Sequence, residues 1–180
     1  AAWAAPVVKT EHVEAELVTE KMGAQPGKPA TVGLKLRMAD QWHTYWKNPG
    51  DSGLPTRIKW ELPEGWKAGA IQWPYPHALP IGPLMNYGYE DEVVLLTDLT
   101  PPPNAKPGAY PVKAKADWLV CKEICIPEGA DLALTLPIAS PGSTPPADTK
   151  WKAAIADTQA ALPRPLAGWR VAAAAAGAIG

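Results

Sequence analysis

Proline falls 22 times in this 180-residue sequence and is spread along most of its length. Because proline has no N–H to donate and its ring clashes with the preceding helical turn, such a chain cannot form long helices and must be built from strand ends and turns. Between the prolines, apolar residues recur with period two: Val13, Ala15 and Leu17, then Val32, Leu34, Leu36 and Met38, then Ile58, Trp60 and Leu62. Each run reads as a half-buried strand. Further strands are expected at Ile71–Trp73, Val93–Leu99, Val112–Val120 and Leu132–Ile138. Turn chemistry separates them at Asn48-Pro49-Gly50-Asp51, Pro63-Glu64-Gly65 and Lys106-Pro107-Gly108. Seven or more short strands joined by such turns predict an all-β sandwich.

The same prolines help to mark the domain boundary. Pro141–Pro146, mixed with Gly, Ser and Thr, reads as a linker. Beyond it Trp151, Ile155, Thr158 and Leu162 take helical spacing, with Asp148 or Thr149 available as N-cap and Pro163 as a stop. The expected organisation is a sandwich over residues 7–140, a linker with a short helix over 141–167, and the start of a second, truncated β domain over 168–180, opening with a strand near Trp169. The small apolar residues Ala1–Pro6 fit the surroundings of a signal-peptidase site, and the expectation is a piece cut from a longer, exported polypeptide.

Charge removes several function classes. Lys and Arg number 17 against 18 Asp and Glu, a formal net charge of -1, without a basic cluster. Neither nucleic-acid binding nor polybasic membrane attachment is expected. The apolar run Val171–Gly180 is about half of the ~20 residues that a membrane-spanning helix needs, so no membrane insertion by this segment is expected. No nucleophile elbow, phosphate loop or zinc motif occurs.

The chemistry therefore falls to two cysteines, Cys121 and Cys125. An even count in an exported protein makes a disulfide the default. The segment Trp118–Pro127 is rich in β-branched residues and ends in proline, which suits a tight hairpin with three residues at its tip. Opposed non-hydrogen-bonded positions there would hold the Cα atoms ~4.5 Å apart, within disulfide reach. An inert staple is one reading, although closing a ring of about five residues stabilises by only roughly 2 kcal/mol. A redox-active pair is the other, since close spacing in a short, exposed hairpin eases attack by a neighbouring thiol. Lys122 would favour a thiolate and Glu123 would oppose it. Spacing alone leaves both readings open.

Three stretches carry a resemblance that bears on the choice: Trp42-His43-Thr44-Tyr45-Trp46-Lys47-Asn48-Pro49-Gly50-Asp51-Ser52-Gly53, then Asn86-Tyr87-Gly88-Tyr89, and above all Trp118-Leu119-Val120-Cys121 with Cys125-Ile126-Pro127-Glu128. Over residues 10–140 the chain resembles the N-terminal periplasmic domain of DsbD-type transmembrane disulfide reductases, especially the ScsB-like branch. The resemblance implies an immunoglobulin-like fold and thiol:disulfide oxidoreductase activity, with the Cys121–Cys125 disulfide as the redox group and no other cofactor. It implies a periplasmic location, as the soluble part of an inner-membrane protein. Electrons would arrive from the membrane domain of the reductase through a thioredoxin-like domain. They would leave to a periplasmic disulfide isomerase or another oxidised thioredoxin-fold protein.

By position in the motif, Cys125 would form the mixed disulfide and Cys121 would resolve it. A cap loop matched by Met85, Asn86, Tyr87, Gly88 and Tyr89 would shield the pair, with Tyr87 foremost. DsbD itself has more residues between its cysteines than the three found here, which is why the likeness leans to the ScsB-like branch. In that branch a second sandwich can follow, as the strand expected near Trp169 would fit.

Other residues have plainer roles. His12, His43 and His77 with Met22, Met38, Met85 and the cysteines could in principle serve a Cu(I)-handling module, but they lack compact ligand spacing. His12 and Met38 fall in strand patterns and His77 in a proline-rich loop. His43 and Tyr45 alone are candidates for lining the active surface. Trp46, Trp60, Trp66 and Trp73 are expected in the core, and Asp91 with Glu92 at a solvated strand entrance.

Overall fold

The structure is a computed structural model that describes residues 5–165 and residue 168. Two antiparallel sheets face each other. The first joins β1 (Val8–Lys9), β2 (Val13–Thr19), β3 (Ala30–Met38), β9 (Glu92–Thr100) and β6 (Lys67–Ala68), in the order β1-β2-β3-β9-β6. The second runs β11 (Cys125–Ile138), β10 (Gly108–Cys121), β4 (His43–Gly50), β8 (Leu84–Glu90) and β7 (His77–Ile81), while β5 (Arg57–Glu61) pairs with β10. This is the immunoglobulin-like all-β sandwich that the strand pattern and the resemblance implied.

The alternation does the folding work that the sequence predicts of it. In β10 the residues Val112, Ala114, Ala116, Trp118 and Val120 are buried against the other sheet, and Lys113, Lys115 and Asp117 between them are exposed. Val13, Ala15 and Leu17 of β2 and Val32, Leu34 and Leu36 of β3 supply the opposing layer. Trp66 is part of that core, and Trp46, Trp60 and Trp73 pack on it as half-buried side chains.

Strand β9 departs from alternation because both its faces are covered. Val93 and Leu95 enter the central core, whereas Val94 and Leu96 meet Ile155 of α1 (Lys152–Ala160) on the outer side of the first sheet. The expected short helix thus packs on the sandwich, with Ile155 fully buried. Its start differs from expectation. Trp151 occupies the N-cap position without a side-chain bond, the Thr149 hydroxyl accepts from Trp151 N–H at 3.0 Å, and Asp148 pairs with Lys21 and Lys152. The strand expected near Trp169 lies outside the described residues.

Three local expectations are corrected. Ile71–Trp73 is not a strand: Gln72 makes a single bridge to Leu96, and Pro74 soon after it has no N–H with which to extend the pairing. Asn48-Pro49-Gly50 is not a turn but the irregular end of β4, where the register shifts between Tyr45 and Gly50 and Gly50 takes φ +89°. His77 sits in edge strand β7, not in a loop.

Candidate functional site

Hairpin β10–β11 pairs without interruption from Gly108↔Ile138 to Cys121↔Cys125, and Lys122 N–H donates to Ile124 C=O at 3.1 Å to close its tip. The three-residue tip is the one the sequence predicts. The cysteines are joined, with Cα atoms 4.1 Å apart.

Their surroundings are unequal. Since the even-numbered residues of β10 turn to the core, Cys121 emerges on the opposite face of the sheet, yet it is only 1% exposed. Cys125, at the start of the edge strand, is exposed, and beside it Ile124 is 66% exposed. A shallow depression lined by Leu54, Pro55, Leu119 and Pro127 adjoins the hairpin.

Strand β4 supplies much of the cover. His43 lies opposite Cys121 in register, and Tyr45, two residues on, shares its face. Both are buried. The Tyr45 hydroxyl is 3.7 Å from Cys125 Sγ and 3.2 Å from His43 Nε2, and the two rings meet edge to face. Burial holds the His43 imidazole below the usual histidine range, opposed in part by the Glu90 carboxylate across β8, so the ring is neutral at pH 7. Burial also pushes the Tyr45 phenol above its ordinary value, keeping its proton available as a donor.

Behind Tyr45 stands the turn that follows β4. Gly53, at φ +93°, lies so close to the Tyr45 ring that a Cβ there would come within 2.4 Å of it. That turn is tied to β8. Ser52 donates through its N–H and its hydroxyl to Asn86 Oδ1 at 2.9 and 3.1 Å. Asp51 N–H donates to Met85 C=O at 3.0 Å, and the Asp51 carboxylate accepts from Met85 N–H at 2.7 Å. Ser52 and Gly53 stand in the quoted motif, but sequence reasoning gave them no role. The signal was a glycine two places after an aspartate, a common mark of a tight turn.

The segment Met85–Tyr89, expected as a cap loop, is instead the body of strand β8, paired with β4 and β7. A short turn at Gly82-Pro83 closes the β7–β8 hairpin, which proline at positions 76, 80 and 83 obscured in the sequence. Alternation places Asn86 and Gly88 on the face of Tyr45 and turns Met85, Tyr87 and Tyr89 to the other, so Tyr87 does not lie over the disulfide. Tyr89 is buried and its hydroxyl donates to Pro74 C=O at 2.7 Å, while Met85 and Tyr87 are 40% and 37% exposed.

The residues considered for copper are dispersed. Met38 is in the core, where the Thr44 hydroxyl donates to its sulfur. His12 belongs to the β1–β2 connection rather than a strand, and its Nδ1 is 2.7 Å from Glu128 Oε1. Among the described residues no three His, Cys, Asp or Glu side chains converge as metal ligands.

Over 90% of its length the chain superposes on the crystal structure of the N-terminal periplasmic domain of ScsB from Proteus mirabilis, with a TM-score of 0.65 and 19% identity. It spans 60% of that chain, and at this identity the likeness speaks for the fold. Among curated protein sequences none matches. The sequence profile of thiol:disulfide interchange protein DsbD, N-terminal, matches residues 12–137, which include both cysteines, His43, Tyr45 and Asn86. A sandwich with a disulfide at the tip of its longest hairpin, matched over most of its length by that profile, belongs to the DsbD N-terminal domain family.

Proposed function

We propose that this chain is a periplasmic thiol:disulfide exchange module that relays electrons between a thioredoxin-like donor and oxidised proteins. The observation that carries the reading is the inequality of the two sulfurs, one at the surface and one covered. A docked thiolate has access to Cys125 alone, so the mixed disulfide forms there and Cys121 is the resolving partner. In the forward half-cycle the reduced Cys125 thiolate attacks an oxidised thioredoxin-fold protein such as a disulfide isomerase. Cys121 then attacks Cys125, releasing the substrate as a dithiol. The donor would be the thioredoxin-like domain of a DsbD- or ScsB-type reductase, itself reduced by that protein's membrane domain. The family membership supports this assignment, as does the apolar surface of Ile124 and Leu54 near the hairpin.

The test is trapping. Cys121→Ser leaves Cys125 without a resolving partner and is expected to accumulate a mixed disulfide with a thioredoxin-fold protein, whereas Cys125→Ser should accumulate none. Equilibration of the unmodified pair against glutathione buffers should give a potential near the roughly −180 mV of isomerases. A value below about −300 mV would mark an inert staple and overturn the reading.

Shielding is assigned to Asn86, through the turn it holds behind Tyr45. Asn86→Ala, which removes the acceptor of both Ser52 bonds, is expected to speed reduction of the oxidised pair by dithiothreitol severalfold. Tyr87→Ala, on the far face, should leave that rate nearly unchanged. The reverse order of rates would return the shield to Tyr87.

A further inference from the structure

Three polar atoms follow one another in a line of contacts beside the disulfide: His43 Nε2 to Tyr45 Oη at 3.2 Å, and Tyr45 Oη to Cys125 Sγ at 3.7 Å. The line is built on one strand, because His43 and Tyr45 are two residues apart on β4 and share a face. It is also held from behind, where Gly53 allows the Tyr45 ring no room to retreat. A phenol has a single proton to donate. If His43 Nε2 is bare, that proton points to the imidazole and away from sulfur. If Nε2 carries hydrogen, it donates to the phenol oxygen and the phenol proton is free to face Cys125.

We propose that His43 Nε2–H aims the Tyr45 hydroxyl at Cys125 Sγ, so that Tyr45 stabilises the thiolate that exchange leaves there and His43 acts as its positioning residue. This deepens the exchange reading above and rests on it.

The electron count places the thiolate. When a donor thiolate attacks Cys125, the Cys121–Cys125 bond breaks, a Cys125–donor bond forms, and the electron pair goes to Cys121. The donor's second thiolate then attacks its own sulfur in the mixed disulfide. The donor leaves as a disulfide, and Cys125 receives the second electron pair as thiolate. The two protons of the donor dithiol end on Cys121 and Cys125 or in solvent. Tyr45 is the protein hydroxyl within hydrogen-bonding reach of that second thiolate.

The other groups about the line are few, and one is the Ser52 hydroxyl, which donates to Asn86 Oδ1 and is also within hydrogen-bonding reach of the Tyr45 phenol. Cys121 faces His43 from β10 and Glu90 faces it from β8. Gly88 lies opposite Tyr45, with His77 beyond it on β7. Lys122 and Glu123 are exposed at the tip and oppose one another in sign.

The experiment is the pH dependence of iodoacetamide alkylation of Cys125 in the reduced Cys121→Ser protein. Tyr45→Phe keeps the ring and removes only the hydroxyl. It is expected to raise the alkylation midpoint by about one pH unit, which is about tenfold slower reaction below the midpoint. His43→Phe should move the midpoint the same way, and His43→Gln, which returns an N–H near the position of Nε2, should restore it. An unmoved midpoint in Tyr45→Phe overturns the proposal, as does a His43→Gln midpoint equal to that of His43→Phe. Mixed-disulfide trapping separates the two levels: partners still trapped by Tyr45→Phe with an unmoved midpoint remove the aiming role alone, whereas no trapping in any variant removes the exchange reading itself.

Discussion

Gly88→Ala is expected to destabilise the domain by about 3 kcal/mol and to make the disulfide more reactive. Gly88 pairs with Tyr45 across β4 and β8, and a Cβ built on it would stand 2.0 Å from Thr44 O and 3.1 Å from Tyr45 Cα. These are backbone atoms, so no rotamer change relieves the clash, and the two strands must part. Because β4 carries His43 and Tyr45, the displacement reaches the cover of Cys121 directly. Gly69→Ala is the control, since a Cβ there meets nothing nearer than Asp98 O at 3.5 Å. Urea denaturation should show the loss for position 88 and a far smaller change for position 69, with dithiothreitol reduction faster only in the former. Equal stabilities would mean that β4 and β8 tolerate separation, and the account of a rigid cover would fail.

How much of this could be seen in the sequence depended on the range of the interaction. Strands β2, β3, β10 and β11 follow from local alternation, because one face of each meets the core and the pattern repeats every second residue, while β9, covered on both faces, shows instead as a continuous apolar run. Strands β7 and β8 do not, since Pro80 and Gly88 break the pattern and their pairing is satisfied by neighbours, not by propensity. The cysteine pair was evident from its count and motif. Unequal exposure of its members was not, because it follows from β4 lying beside the end of β10, a contact between residues 78 positions apart (121 minus 43). The same holds for Asn86 and Ser52, whose bond requires the irregular end of β4 to bring the turn onto β8. The expected cap loop at Met85–Tyr89 is a strand for a related reason: the segment pairs with β4 and β7 beside the site, and period-two geometry turns the Tyr87 ring to the face away from Tyr45.

Glu128→Ala is expected to lower stability by about 3 kcal/mol, because Glu128 is an acid at an inward position of β11 whose burial is matched by partners from the other sheet. Its side chain is 7% exposed. Oε1 accepts from His12 N–H at 3.2 Å and lies 2.7 Å from His12 Nδ1, while Oε2 accepts from the Thr10 hydroxyl. Trp42 covers His12, with ring centroids 3.8 Å apart. The cluster therefore ties the β1–β2 connection of the first sheet to the edge strand of the second, three residues beyond Cys125. Removing the carboxylate leaves His12 N–H, the imidazole and the Thr10 hydroxyl without their acceptor in a site with little access to water, and desolvation then counts against the fold. His12→Ala leaves Glu128 its Thr10 and backbone bonds and should cost less, about 2 kcal/mol. The double variant should fall short of the sum by about 1 kcal/mol or more, the mark of side chains that act on one another. Amide exchange should quicken along Leu119–Ile126 in Glu128→Ala, since the end of the hairpin loses its anchor to the first sheet. Additive losses, with protection in the hairpin unchanged, would show that the two residues stabilise the fold separately and that the disulfide strand is held by β10 alone.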